Sequence, residues 1–93
     1  MSRNAKSFFE IYANEYDYLT NAEQRKQFHG KEVKYLIDRF EPKSVLDAGC
    51  ATGLTSSLFA SYKIKTVGLD RSRPMLKVAE EKYYQLSDYL SFK

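Results

Sequence analysis

The stretch Val45-Leu46-Asp47-Ala48-Gly49-Cys50-Ala51-Thr52-Gly53, residues 45–53, decides the fold of this 93-residue chain. It starts as a short apolar run typical of a buried strand and ends in a turn with two glycines, after which a helical pattern begins. Gly49 and Gly53 permit backbone angles that are closed to other residues, and the helix N-terminus that follows presents unpaired N–H groups. The loop is therefore predicted to hold a polar ligand group against its backbone.

The pattern after this loop alternates between helix and strand. Residues 54–62 carry Leu54, Leu58 and Tyr62 at helical spacing, and residues 64–69 form a second strand that ends at Asp70. Ser72 suits the N-cap of a further helix, whose apolar residues Met75, Ala79, Tyr83 and Leu86 repeat at 4, 8 and 11. Residues 89–92 are compatible with the start of a third strand. Strands that alternate with helices imply the α/β class, with a parallel sheet and right-handed crossovers.

Helices are also predicted before the first strand. Residues 7–19 place Phe8, Tyr12, Tyr16 and Leu19 on one helical face. Thr20 or Asn21 can cap a second helix, which His29-Gly30 weakens in its middle, so that a loop is possible there. Residues 31–40 again show a helical stripe, formed by Val33, Leu36, Ile37 and Phe40, and Pro42 ends it.

Two acidic residues indicate the ligand. Asp70 ends the second strand about twenty residues beyond the glycine-containing turn, where a carboxylate can accept hydrogen bonds from ribose hydroxyls. The fingerprint of a dinucleotide-binding site would need glycines where the chain has Ala51 and Leu54, so the sequence does not match that kind of site. Asp47 would repel a pyrophosphate but attract a cationic amino group. S-adenosylmethionine carries both an α-ammonium group and a ribose, and so fits Asp47 and Asp70 together.

Residues 44–82 resemble motif I and the following segment of class I S-adenosylmethionine-dependent methyltransferases. The resemblance implies a partial Rossmann-like, doubly wound parallel sheet and S-adenosylmethionine as cofactor. It assigns the methionine part to Asp47, Gly49, Ala51 and Gly53, the ribose to Asp70 and the adenine to Arg71 and Met75. Ala51 departs from the family, which often has a third glycine there. Arg71 replaces a commonly apolar neighbour of adenine, and its guanidinium could either stack on the base or point to solvent.

The resemblance also divides the chain. Residues 1–43 are similar to the helical segment that lids the cofactor in small-molecule methyltransferases, which makes Tyr12 and Tyr16 candidates for ligand contact. Residues 44–93 match the first part of the cofactor-binding domain, apparently truncated. The implied function is methyl transfer to a small-molecule acceptor, with the 93 residues inactive alone and the catalytic residues unknown. The alternative is a non-catalytic cofactor-binding or protein-interaction module derived from such a half-domain.

Composition and charge limit the partners, the cellular location and the reactive residues that the sequence allows. The net charge is +3, but the basic residues are scattered among acidic ones and form no basic stripe. Nucleic acid is therefore not indicated as a partner. No apolar run long enough for a membrane span occurs, no secretory signal is recognisable, and a single cysteine makes the cytoplasm the default location. Cys50 and His29 are not expected to be catalytic or to bind metal. A sheet of two or three strands leaves an open edge, so a second copy or a partner chain is expected to complete it.

Overall fold

The computed structural model describes residues 8–93, which form an α/β unit with a three-stranded parallel sheet. Two helices precede the sheet, one helix connects each pair of consecutive strands, and the predicted third strand is present, which confirms the fold class. The helices are α1 Phe8–Leu19, α2 Ala22–Phe40, α3 Leu54–Ser61 and α4 Arg73–Lys82; the strands are β1 Ser44–Ala48, β2 Lys65–Leu69 and β3 Leu90–Phe92.

The sheet is covered on one face. Its strands lie in the order β1-β2-β3, and because right-handed crossovers put consecutive connections on the same side, α3 and α4 share one face. That face includes Asp47, which is paired in register with Gly68, and Gly68 in turn is paired with Phe92. Leu46 points to the opposite face and is 65 % exposed.

Two glycines, Gly53 and Gly68, make room for the Phe92 side chain of β3 on the covered face of the sheet. A Cβ atom built on Gly68 would lie 2.7 Å from Cδ1 of Phe92 and 2.9 Å from Oγ of Ser56, and one built on Gly53 would lie 2.7 Å from Cζ of Phe92. The ring of Phe92 therefore fills the space that two missing side chains leave. Gly53 also adopts a φ of 88°, so it meets both a steric and a backbone requirement.

The second helix differs from its prediction in two ways. It runs without a break through Gly30, so the possible loop at His29-Gly30 is wrong. Asn21 caps it as predicted, and its side chain accepts a hydrogen bond from the backbone N–H of Gln24. Of the predicted stripe only Val33 is buried, whereas Phe40 is 65 % exposed, because α2 has 19 residues and packs on α3, which has only 8.

The fourth helix is shorter than its hydrophobic repeat predicts. Ser72 is its N-cap as predicted, but α4 ends at Lys82, and Tyr83 and Leu86 lie outside it. The chain tightens into a 3₁₀ turn at Tyr84–Leu86, because few residues remain before β3 must pair with β2. Within residues 8–93, no helix is both long enough and apolar enough to traverse a bilayer.

Candidate cofactor site

The candidate site lies where β1 and β2 end. These strands are parallel and pair Ala48 with Leu69, so the loops that follow them leave the sheet side by side. The backbone N–H groups of Gly49 and Cys50 both donate to the carbonyl oxygen of Leu69, at 2.7 and 2.8 Å. The glycine-containing loop is thereby held over the end of β2.

Asp70 joins the two loops. Its Oδ2 accepts a hydrogen bond of 2.9 Å from the N–H of Ala51, and its Oδ1 accepts one of 2.8 Å from the N–H of Ser72. An ionised carboxylate has about four acceptor positions, so two remain for a ligand. Ala51 has a left-handed φ of 51°, which is unfavourable for a residue with a Cβ and explains why glycine suits this position.

Asp47 is oriented by the helix that follows the loop. The hydroxyl of Ser56 donates to Oδ2 of Asp47 at 2.6 Å. Because Ser56 is fully buried in α3, this contact fixes the carboxylate at the end of β1. Ser56 is neutral, so the negative charge of Asp47 remains available to a cation.

The backbone of the loop is less available than the sequence indicated. We predicted N–H groups that would bind a ligand, yet those of Gly49, Cys50, Ala51 and Gly53 all donate to acceptors within the protein. The reason is that the loop must itself be tied to β2 and closed into the first turn of α3. Fewer N–H groups of the loop are therefore left for a ligand than the glycine pattern predicts.

A small cleft opens in front of this loop. It has a volume of about 110 Å³ and is lined by Asp47, by the loop from Gly49 to Thr52, and by Tyr16 and Arg25 of the N-terminal helices. A Cβ built on Gly49 would meet nothing within 4 Å, so the backbone is open to a ligand there. Tyr12 does not line the cleft; its ring packs edge-on against that of Tyr16, with centroids 5.5 Å apart.

Comparison with known proteins identifies the family. A model of the methyltransferase domain matches residues 45–92, more than half of the chain and the whole of the site built on β1 and β2. The chain belongs to the class I S-adenosylmethionine-dependent methyltransferases. Membership implies S-adenosylmethionine as the methyl donor.

Three relatives resemble this methyltransferase chain. The mitochondrial methyltransferase OMS1 of Saccharomyces cerevisiae is 31 % identical over 83 residues, which are 88 % of this chain and 17 % of OMS1. A candidate S-adenosyl-L-methionine-dependent methyltransferase from Methanococcus maripaludis has a TM-score of 0.76 at 23 % identity and covers 99 % of this chain. A candidate O-methyltransferase from Klebsiella pneumoniae has a TM-score of 0.64 at 14 % identity and covers 98 %. The two solved structures share the fold, and this chain spans 44 % of each.

The chain has a second, larger cleft, which Asp70 also lines. This cleft, of about 960 Å³, is lined by Asp70, Arg71, residues of α4 and the end of β3. Asp70, which lines this cleft, accepts a hydrogen bond from Ala51, which lines the small cleft. Arg71 is exposed, and Met75 is buried and lines neither cleft. The assignment of Arg71 and Met75 to adenine stays a prediction.

Sequence reasoning missed Asp17, which ties the N-terminal helices of the chain to the loop. Its Oδ1 accepts a hydrogen bond of 2.6 Å from the hydroxyl of Thr52, and its Oδ2 accepts one of 2.6 Å from Lys82 in α4. Arg25 in α2 lies 3.5 Å from Oδ1. Asp17 follows the buried Ala13 by four positions and shares its face of α1. A single alanine is too weak a hydrophobic signal to reveal that face from sequence.

The cations around Asp17 control its ionisation. Burial by itself raises the pKa of Asp17, but the hydrogen bonds from Lys82 and Thr52, together with the charges of Lys82 and Arg25, outweigh burial and lower the pKa below 3.8. Asp17 is thus a carboxylate at neutral pH. It holds α1, α2 and α4 together around the loop.

The two other reactive side chains that the sequence offers lie in unsuitable surroundings. Burial, reinforced by the charges of Asp47 and Asp70, raises the pKa of Cys50 to about 11, so the thiol stays protonated at neutral pH and is a poor nucleophile. His29 contacts Glu32 at 2.7 Å within α2 and does not line the small cleft. Among residues 8–93, no group of three His, Cys, Asp or Glu side chains converges as a metal site would require.

Proposed function

We propose that this chain binds S-adenosylmethionine across the two clefts, as the cofactor-binding part of an enzyme that methylates a small molecule. The methionine part lies in the small cleft with its ammonium group against Asp47, the ribose hydroxyls donate to Asp70, and the adenine extends toward Arg71 and Met75. The observation that supports this proposal best is the placement of Asp47 and Asp70 at the ends of paired parallel strands.

The residues present fit this cofactor. Asp47 and Asp70 supply acceptors for an ammonium and a ribose, and the backbone at Gly49 is open to a ligand. The bound cofactor would supply an electrophilic methyl group on a sulfonium that is already a good leaving group. Binding and alignment can therefore contribute much of the rate, and a general base is needed only for some acceptors.

A small-molecule acceptor is favoured by the N-terminal helices. Tyr16 of α1 and Arg25 of α2 close one side of the small cleft over the proposed position of the methionine part, which agrees with the resemblance to the helices that lid the cofactor in small-molecule methyltransferases. The scattered basic residues do not form the continuous positive stripe that a nucleic-acid acceptor requires. The cytoplasmic location stays a prediction.

Isothermal titration with S-adenosylhomocysteine, the methylation product of the cofactor, tests the proposed site. The chain should bind it, and Asp70→Ala should weaken binding by about 1 to 3 kcal/mol through the lost hydrogen bonds. Asp38→Ala, which removes an exposed carboxylate on α2, is the control and should leave affinity unchanged. Equal affinities for Asp70→Ala and the parent chain would contradict the ribose assignment.

A non-catalytic interaction module is the second candidate. It is favoured by the uncovered face of the sheet, where Leu46 is 65 % exposed, and by the outer edge of β1, since β1 pairs only with β2 among residues 8–93. A second copy or another chain could cover both features. Transfer of a labelled methyl group by this chain to small amines, hydroxyls or thiols would exclude the non-catalytic module, and a monomer in sedimentation at micromolar concentration would remove the support for an interaction surface. We expect this chain alone to stay at background turnover and to associate.

A further inference from the structure

Ser56 is a serine of α3 whose hydroxyl makes its hydrogen bond outside the helix. The side chain is fully buried, and its Oγ donates to Oδ2 of Asp47 at 2.6 Å, nine residues earlier in the chain. The neighbouring Ser57 is also buried, but its hydroxyl donates to the carbonyl oxygen of Leu54 within the same helix, as helical serines commonly do. The needs of α3 alone therefore explain Ser57 and do not explain Ser56.

The sheet beneath Ser56 leaves room for this contact. Asp47, Gly68 and Phe92 are paired in register on the three strands, so they form a row across the covered face. A Cβ atom on Gly68 would lie 2.9 Å from Oγ of Ser56, which is closer than a methyl group can approach without displacing it. The glycine in the middle of the row thus leaves the space in which the hydroxyl reaches Asp47.

A neutral donor suits a support for Asp47. A hydroxyl has one hydrogen to donate, and an ionised carboxylate has about four acceptor positions, so most of them remain open after the contact with Ser56. Because Ser56 carries no charge, the contact fixes the direction of the carboxylate and leaves its charge for the cleft that Asp47 lines. Breaking the contact would leave a buried hydroxyl without a partner, which keeps the carboxylate in this orientation.

We propose that Ser56 is a positioning residue, which holds Asp47 in the orientation that receives the ammonium group of the cofactor. Ser56 itself lines neither cleft, so it acts through Asp47. The proposal rests on the proposed function, which assigns the ammonium to Asp47. Without the hydroxyl, Asp47 keeps its charge but gains access to other rotamers, so the loss falls on recognition of the ammonium and not of the nucleoside.

The test compares two ligands by isothermal titration on the full chain. The probes are S-adenosylhomocysteine and its deaminated analogue, which keeps the carboxylate, the thioether and the nucleoside but has hydrogen in place of the ammonium. The parent chain should bind S-adenosylhomocysteine about ten- to a hundredfold more tightly than the analogue. Ser56→Ala should reduce this preference about fivefold.

Ser57→Ala is the matched control. It removes a buried hydroxyl from the adjacent position of the same helix, and it should keep the full preference because that hydroxyl donates within α3. Ser56→Cys keeps nearly the same volume with a weak S–H donor, and its preference should fall between those of the parent chain and Ser56→Ala. Partial unfolding of a variant weakens both probes by the same factor, so the ratio of the two affinities does not depend on it.

Two results would count against these ideas in different ways. If the parent chain prefers S-adenosylhomocysteine and Ser56→Ala shows the same ratio of affinities as Ser57→Ala, the positioning role of Ser56 is overturned. If the parent chain binds both probes equally, or binds neither, the assignment of the ammonium to Asp47 is overturned, and with it the proposed function on which the role of Ser56 rests.

Discussion

Replacing Asp17 by alanine should destabilise the protein far more than its place near the start of the chain suggests. The side chain is 22 % exposed and accepts hydrogen bonds from Thr52 in the glycine-containing loop and from Lys82 in α4. Thr52 itself is only 1 % exposed, so its hydroxyl has little access to water when Asp17 is removed. The variant therefore loses two hydrogen bonds and the longer ion pair with Arg25, and it leaves one buried hydroxyl without its partner.

The magnitude follows from the burial of each partner. A hydrogen bond to a charged group is worth about 1.5 to 3 kcal/mol, and the buried bond from Thr52 belongs in that range. The Lys82 side chain is 44 % exposed, so its ion pair adds at most about 1 kcal/mol. Together the expected loss is roughly 2 to 4 kcal/mol, against a total stability of roughly 5 to 14 kcal/mol for a domain of this length.

Urea unfolding followed by circular dichroism measures this loss. The matched control is Asp38→Ala, which removes an acid whose partner is a lysine four positions away and whose side chain is 64 % exposed. Asp38→Ala should barely move the unfolding midpoint. If Asp17→Ala shifted the midpoint no more than Asp38→Ala does, the cluster around Asp17 would not hold the N-terminal helices to the loop.

The same cluster makes a prediction about pH. The pKa of Asp17 is lowered in the folded protein, so its stabilisation is fully present above the ordinary value of 3.8 and is lost as the pH falls through the lower, folded value. The difference in stability between the parent chain and Asp17→Ala should be constant from pH 7 to about pH 5 and should shrink below about pH 4. A difference that grew on acidification would refute the direction of the shift.

Three smaller predictions test the loop and its surroundings. Gly68→Ala puts a Cβ 2.7 Å from Phe92 and should lower stability by about 1 to 3 kcal/mol in thermal melting; an unchanged melt would mean that the ring has room to move. Ala51→Gly relieves a left-handed φ of 51° and should raise the urea midpoint, with a gain of up to about 1 kcal/mol, whereas a loss would show that the alanine is unstrained. Cys50, with a pKa of about 11, should react slowly with iodoacetamide at pH 8 until urea unfolds the chain; rapid reaction when folded would contradict its burial.

The parts of the fold that were predictable are those with strong local patterns. The strand at 44–48, the second strand and the N-cap at Ser72 each combine a hydrophobic period with a recognisable boundary residue, and all three are confirmed. Gly30 was given too much weight, because its cost of about 1 kcal/mol within a helix is outweighed by the helical residues on both sides. The end of α4 was missed because β3 must return to β2, a tertiary requirement that no local repeat encodes.

The residues of the candidate site also differ in how far the sequence predicts them. Asp47 and Asp70 could be placed at one edge because parallel strands end together, and Asp70 does meet the glycine-containing loop through Ala51. Asp17 and Arg25 could not be found, because their roles depend on how two helices dock against a loop about 30 residues further along the chain. Contacts of that kind leave no periodic trace in a single sequence.

The sequence separation of these contacts sets an order of assembly. Asp17 is separated by 35 residues from Thr52 and by 65 from Lys82, so α1 is synthesised well before these two partners. Synthesis must continue through α4 before α1 can make both of these contacts, which at about 5 to 20 residues per second takes several seconds. Nascent chains stalled before and after residue 82 emerges should differ in the proteolytic protection of α1, and equal protection would show that the helix docks without the Asp17 contacts.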